Sequence, residues 1–301
     1  MASPSVAALK ERFGIPGVAE ILTGNGGLAK VVVSAPEATG EMYLHGAQVT
    51  SWISSGRNEA LYVSPNSIWQ DGRAIRGGVP ICFPWFGDKQ GDPSAPAHGF
   101  VRTKSWELEG IESRGEGIEV TMSTTSDDVT RKWWPFDFRL ICRGTFARGL
   151  QIDLIVTNSG SSAFWFEEAL HAYFAVGDAE SALVHGLDAT RYIDKTDNRV
   201  EKMQSGDIYI TAETDRVYLD TTGPVELVDL ATSRRIHIWK QSSQTTVVWN
   251  PWMEKSIALK DLGPEQWKEF VCIETANVAP LALKLEPGET HTMVVEVQAM
   301  P

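Results

Sequence analysis

The sequence predicts an all-β protein, a large antiparallel sandwich with few short helices. Three observations point there. Strand-like segments recur almost from end to end, broken by Gly, Pro, Asn and Asp turns. Helical spacing is confined to two short stretches, so the regular long helices that parallel βα alternation needs are missing. No internal repeat of fixed period or low-complexity stretch occurs, which disfavours solenoids and ordinary propellers.

Along the chain, SVAALKERF at the N-terminus combines a serine cap with helical spacing, and we expect residues 1–27 to form an extension carrying a short helix. Residues 28–301 show no composition break and are expected to form a single domain. Its first strands are predicted at LAKVVVSA near Leu28 and QVTSWIS near Gln48. Residues 73–102, RAIRGGVPICFPWFGDKQGDPSAPAHGFVR, are rich in Gly, Pro and Arg and do not alternate, so they read as a long ordered loop. Further strands follow at GIEVTMSTT, FDFRLICRGTF, LQIDLIVTN, FWFEEALHAYFAV, VELVDLA, RRIHIWK, TTVVWN, FVCIET and the closing THTMVVEVQ. The second helix is expected at PEQWKEF, where Pro264 suits a first helical turn.

Of the 301 residues, 43% are hydrophobic and 22% charged, ordinary for a globular chain with a full core. No basic region precedes an uninterrupted apolar run, and nowhere do eighteen apolar residues follow one another. With three widely spaced cysteines and no Asn-x-Ser/Thr sequon, a cytoplasmic location is expected. The net charge of -12 opposes nucleic acid and anionic membrane as partners. An anionic substrate would need a local cluster of arginine to overcome that field. No GxSxG, P-loop, dinucleotide fingerprint or HExxH occurs, and the six histidines lack metal-ligand spacing, so neither a cofactor nor a metal is expected.

Several residues could carry chemistry. Arg76 and Arg102 could converge as guanidinium forks on a phosphate, or could equally satisfy loop carbonyls. Strict alternation in FWFEEALHAYFAV puts Glu167, Ala169, His171 and Tyr173 on one face, and a lone strand histidine is more often structural than catalytic. Glu274 follows the apolar FVCI and could enter a semi-apolar cavity that raises its pKa, although a solvated strand-end glutamate is commoner. Asp215, in AETDRVYLD, reads as an aspartate opening a turn. Among eleven tryptophans, Trp249 in VVWNPWMEKS is a candidate sugar-stacking platform, against the alternative of core burial.

Together, YLHGAQVTSW at Tyr43, IRGGVPICFPWFG at Ile75, AHGFVRTKSWEL at Ala97, FEEALHAYF at Phe166, ETDRVY at Glu213, VVWNPW at Val247 and FVCIETANV at Phe270 resemble the glucose-6-phosphate 1-epimerase family, the hexose-6-phosphate mutarotases of the aldose 1-epimerase superfamily. The resemblance is ordered and runs from about Leu28 to the C-terminus. It implies a galactose-mutarotase-like β-supersandwich with its site in a concave cleft, acting as a monomer without cofactor on a hexose 6-phosphate. By motif position it implies His171 as catalytic acid and Glu274 as catalytic base, Arg76 and Arg102 on the phosphate, and Asp215 on a sugar hydroxyl. His98 resembles a histidine that binds sugar in the galactose branch. Ala97 departs from relatives with a polar residue before the HG pair, which bears on fine specificity. Two alternatives stand beside this reading: a mutarotase of unphosphorylated aldoses, and a non-catalytic carbohydrate-binding β-sandwich.

Overall fold

A computed structural model of the chain describes residues 4–300. Strict alternation in sequences such as LQIDLIVTN builds a nine-stranded antiparallel sheet. In its strand Gly149–Asn158, Leu150, Ile152, Leu154 and Val156 are buried while the residues between them are half-buried. From edge to edge this sheet runs Ile208–Tyr209, Ala182–His185, Val225–Asp229, Arg234–Gln241, Thr290–Met300, Gly149–Asn158, Phe138–Phe146, Gly117–Thr125 and Glu107–Arg114.

The second large sheet is built differently. Its central strands Thr245–Asn250 and Phe270–Asn277 are buried at every position, because both faces are covered. One face, carrying Val248, Val271 and Ile273, joins Leu154, Val156 and Met293 of the nine-stranded sheet in the main core. The other face, carrying Val217, Val247 and Ala276, packs in a smaller cluster with Cys82 and Ala169. Flanking these central strands are Thr214–Leu219, Arg191–Asp194 and Val200–Met203 on one side. On the other lie Glu168–Leu170 and Ile81–Cys82, while Tyr173–Ala175 also pairs with Phe270–Asn277. A four-stranded meander spanning Ala19–Thr23 to Gln48–Ser54 and a two-stranded ribbon of Phe164–Phe166 with Leu283–Leu285 complete the β structure.

Helix is sparse, as the sequence predicts. Val6–Phe13 is helical, with the Ser5 hydroxyl accepting the Ala8 amide. The stretch PEQWKEF departs from expectation and makes only a 3-10 turn over Gln266–Glu269. The chain enters a core strand at Phe270, which leaves no room for a second turn after Pro264. A helix over Trp252–Ala258 and a single turn over Thr130–Trp133 were not anticipated from the pattern. All three cysteines are free and buried. No helix among the described residues is long and apolar enough to cross a membrane.

Candidate active site

The floor of the site is set by register. In the second sheet Asp215 stands opposite Trp249, and Trp249 opposite Cys272. Cross-strand partners share a face and so do residues two apart, so Asp215, Trp249 and Glu274 all point to the side away from the main core. Asp215 therefore lies inside strand Thr214–Leu219 and not at the start of a turn; the turn comes later, at Asp220 with its positive φ.

His171 arrives at the same place from the neighbouring segment. FWFEEALHAYFAV is not one strand but three short ones, with His171 in the break between Glu168–Leu170 and Tyr173–Ala175. Leu170 pairs with Thr275 and Tyr173 with Cys272, so the antiparallel register is the same on both sides of the break. His171 is thereby held opposite Glu274, with Nε2 3.3 Å from Oε1. Only 6% of His171 and 1% of Glu274 is exposed.

Burial favours the neutral form of each group. The His171 imidazole is held well below its ordinary value, first by desolvation and then by the nearby charges of Arg102 and Arg76. The Glu274 carboxyl is raised well above the usual carboxylate range by desolvation and by Asp215, against the pull of Lys195 and Arg102. Desolvation thus works against holding the two as an imidazolium–carboxylate pair in the free protein. Such a pair offers one acid and one base side by side.

The pair sits in a cavity of about 1070 Å³, and every residue singled out in the sequence lines it: Arg76, His98, Arg102, His171, Asp215, Trp249 and Glu274. Arg76 is anchored beyond the cavity wall. One terminal nitrogen donates to both carboxylate oxygens of Asp261, at 3.1 and 3.0 Å, and the other to the Tyr173 hydroxyl at 3.0 Å. The Tyr173 ring in turn stacks on His171, centroids 4.9 Å apart. Arg102 does satisfy a loop carbonyl, donating to Ala97 O at 2.8 Å, but it has no carboxylate partner among the described residues. Trp249 stands edge-on to His171 at 5.8 Å and lines the cavity with little of its surface exposed.

Gly99 fixes the placement of His98. Its φ is +73°, and a Cβ there would lie 1.7 Å from the Phe83 carbonyl oxygen. His98 itself adopts a φ of +62°, a conformation that costs a non-glycine residue about 1–3 kcal/mol. Its Nδ1 accepts the Gly87 amide at 3.3 Å and lies 3.4 Å from the Cys82 sulfur. A backbone N–H can only donate, so Nδ1 carries no proton and the ring hydrogen sits on Nε2.

Three contributors, Glu167 among them although it shares the predicted face of His171, show no sign of their role in the sequence. Lys195 pairs with Asp215 at 3.0 Å and stands over the Phe86 ring, yet it comes from a hairpin, YIDKTDNR, without any motif. Asp261 lies in a plain turn, and Glu167 ties two cavity-lining loops together by accepting the amides of Phe86 and Ala279. In charge, the cavity carries Arg76, Lys89, Arg102, Lys195, Arg199 and Lys255 against four carboxylic side chains. In a chain of net charge -12 the lining of the cleft thus carries a local excess of cations, although Arg76, Lys89 and Lys255 pair with carboxylates just outside it.

Comparison with known proteins identifies the family. The aldose 1-epimerase family model matches residues 30–298. A protein of Escherichia coli K12 provisionally named glucose-6-phosphate 1-epimerase is 36% identical over 247 residues, 82% of each chain. A Salmonella typhimurium crystal structure provisionally described as a mutarotase superposes with a TM-score of 0.88 at 31% identity, covering 95% of both chains. A galactose mutarotase-like protein from Lactobacillus casei, only 14% identical, shares the fold with a TM-score of 0.72 over 90% of this chain and 100% of its own.

Proposed function

Because this chain belongs to the aldose 1-epimerase family, we propose that it interconverts the α and β anomers of glucose 6-phosphate and related hexose 6-phosphates by acid–base ring opening. The observation that carries this reading is the buried His171–Glu274 contact at 3.3 Å on the floor of a cationic cavity.

Mutarotation needs a proton removed from the anomeric hydroxyl while another is given to the ring oxygen. The bond from C1 to the ring oxygen then breaks, and the free aldehyde can rotate about C1–C2 before closing on the other face. Glu274 as carboxylate takes the hydroxyl proton; His171 as imidazolium supplies the ring oxygen. At the open-chain stage both are neutral, the state that burial favours in the free protein. Ring closure runs the two transfers backwards, so the pair is restored after each turnover. His98, with its hydrogen on Nε2, offers a donor to a sugar oxygen. Asp215 offers an acceptor held by Lys195, and Trp249 a flat apolar wall.

Arg76 and Arg102 take the phosphate, whose distance from C1 makes it an anchor for the whole substrate. That Arg102 has no carboxylate partner among the described residues favours a phosphorylated sugar over an unphosphorylated one. A module that only bound carbohydrate would have no use for a desolvated acid–base pair.

The test is two-dimensional exchange NMR on equilibrated glucose 6-phosphate, reading α-to-β cross-peaks above the spontaneous rate. Exchange enhanced for the phosphate ester and hardly for glucose is the expected result. Equal enhancement for both would point to an aldose mutarotase without phosphate selectivity. Saturable binding with no exchange for any aldose would leave only a binding module.

A further inference from the structure

Most cations that line the cavity are already matched by a carboxylate: Arg76 by Asp261, Lys89 by Asp92, Lys195 by Asp215 and Lys255 by Glu213. Arg102 and Arg199 have no carboxylate partner among the described residues. The hairpin that carries Arg199 sharpens the contrast, because its other cations, Arg191, Lys195 and Lys202, each pair with a carboxylate. The Arg199 side chain is exposed, lines the cavity and makes no hydrogen bond among the described residues. Its backbone is strained as well. The Val200 amide donates to the Asp197 carbonyl at 3.0 Å, and the two residues between, Asn198 and Arg199, have φ of +49° and +61°. Positive φ at both central residues is the pattern of a type I′ turn, whose second central position favours glycine. An arginine there is held at a cost to stability that no contact within the described residues offsets.

We propose that Arg199 is a third phosphate-binding residue, meeting the substrate's 6-phosphate from the rim of the cavity while Arg102 and Arg76 hold it from within, and that it sets the preference for phosphorylated over free hexose. This rests on the hexose-phosphate reading above. The fold brings Arg199 and Arg76 to one end of the sheet. Strand Thr214–Leu219 begins there and Thr245–Asn250 ends there, Thr214 opposite Asn250, and the hairpin leaves beside them with the Lys195 amide donating to the Asp215 carbonyl at 2.9 Å. Helix Trp252–Ala258 leaves from the same end, is tied to the start of that strand by Lys255 and Glu213 at 2.7 Å, and leads to Asp261, the partner of Arg76. Charge argues the same way. A phosphate monoester carries about two negative charges at neutral pH. Arg76 is neutralised by Asp261, and its terminal nitrogens already donate to Asp261 and Tyr173, which leaves Nε as the nitrogen without a partner. Arg102 supplies one unmatched positive charge and Arg199 the second, as a planar fork suited to phosphate oxygens.

The test is Arg199→Gly. Glycine suits the left-handed turn position, so the variant should unfold at a temperature no lower than the wild type. Its kcat/KM for glucose 6-phosphate, from exchange NMR over a range of substrate concentrations, should fall about tenfold relative to that for glucose, the size of loss expected for one charge-assisted contact. The loss should appear mainly in KM, because the phosphate is remote from C1. Inorganic phosphate, used as a competitive inhibitor, should weaken by a similar factor. Arg199→Asn, which also tolerates a left-handed φ, should show the same loss and guards against a fault peculiar to glycine. Equal losses on glucose and glucose 6-phosphate would make Arg199 a part of the sugar pocket or of the fold, and the proposal would be wrong. It would also be wrong if selectivity and phosphate inhibition both matched the wild type. A wild-type protein that leaves glucose 6-phosphate unexchanged fails the hexose-phosphate reading first and takes this one with it, whereas failure of this proposal alone leaves wild-type turnover intact.

Discussion

At the scale of single residues, burial works in opposite directions on the two members of the pair, and that fixes the pH dependence. The form with one proton on the pair is lost at low pH, when both groups are protonated, and at high pH, when neither is. His171 is pushed down and Glu274 up, so kcat/KM should follow a bell whose limbs belong to the pair, with the acid limb below the ordinary histidine value of 6.5. Glu274→Gln should cut turnover by about a hundred- to ten-thousand-fold with unchanged thermal unfolding; a folded variant with undiminished exchange would remove Glu274 from the chemistry. A second pair, a half-buried histidine on a buried carboxylate, is structural. His291 Nε2 lies 3.0 Å from Glu168 Oε1, and although desolvation opposes it, the carboxylate holds the His291 pKa above its usual value. A raised folded pKa stabilises below the unfolded value near 6.5, and that contribution fades as pH rises through the folded one. His291→Ala should therefore cost about 3 kcal/mol near pH 6 and clearly less near pH 9, measured by denaturant unfolding at both. The figure is taken at the low end of the range for stripping one partner from a buried pair, because His291 is only half-buried and Asn277 still donates to Glu168.

At the scale of elements, the alternating strands were legible because one buried face leaves a period of two, as in Gly149–Asn158. Strands buried on both faces show no such period, yet their apolar runs and flanking turns marked them, as in FVCIET. What the pattern could not show was the break at His171, which arises from pairing with a distant segment, or the strand position of Asp215 in a stretch rich in turn formers. The main site residues were found through short motifs carried on those elements. Lys195 and Asp261 were not, since each acts through a partner more than a dozen residues away in sequence: Asp215 for one, Arg76 for the other. The loop that carries His98 depends on one backbone position. Gly99→Ala combines a left-handed φ with a collision against the Phe83 carbonyl, and should cost about 2 kcal/mol or more. A lowered melting temperature together with reduced activity is expected; wild-type behaviour in both would mean the loop can be rebuilt around a methyl group.

At the scale of the whole molecule, an anionic body surrounds a cationic cleft, so electrostatic attraction acts only near the mouth while the distant field repels. Raising ionic strength should screen the phosphate contacts and increase KM for glucose 6-phosphate, while leaving KM for glucose nearly flat; parallel salt titrations of the two substrates would show it. The two sheets also divide the labour. His171 and Glu274 are positioned by a ladder whose register is set by core packing, whereas Arg76, His98, Arg102 and Lys195 ride on loops and a hairpin. Chemistry and substrate choice are thus inherited on separable parts of the chain. A lineage can lengthen, shorten or recharge the loops and so change which sugar it accepts, while the anomeric reaction passes on unaltered beneath them.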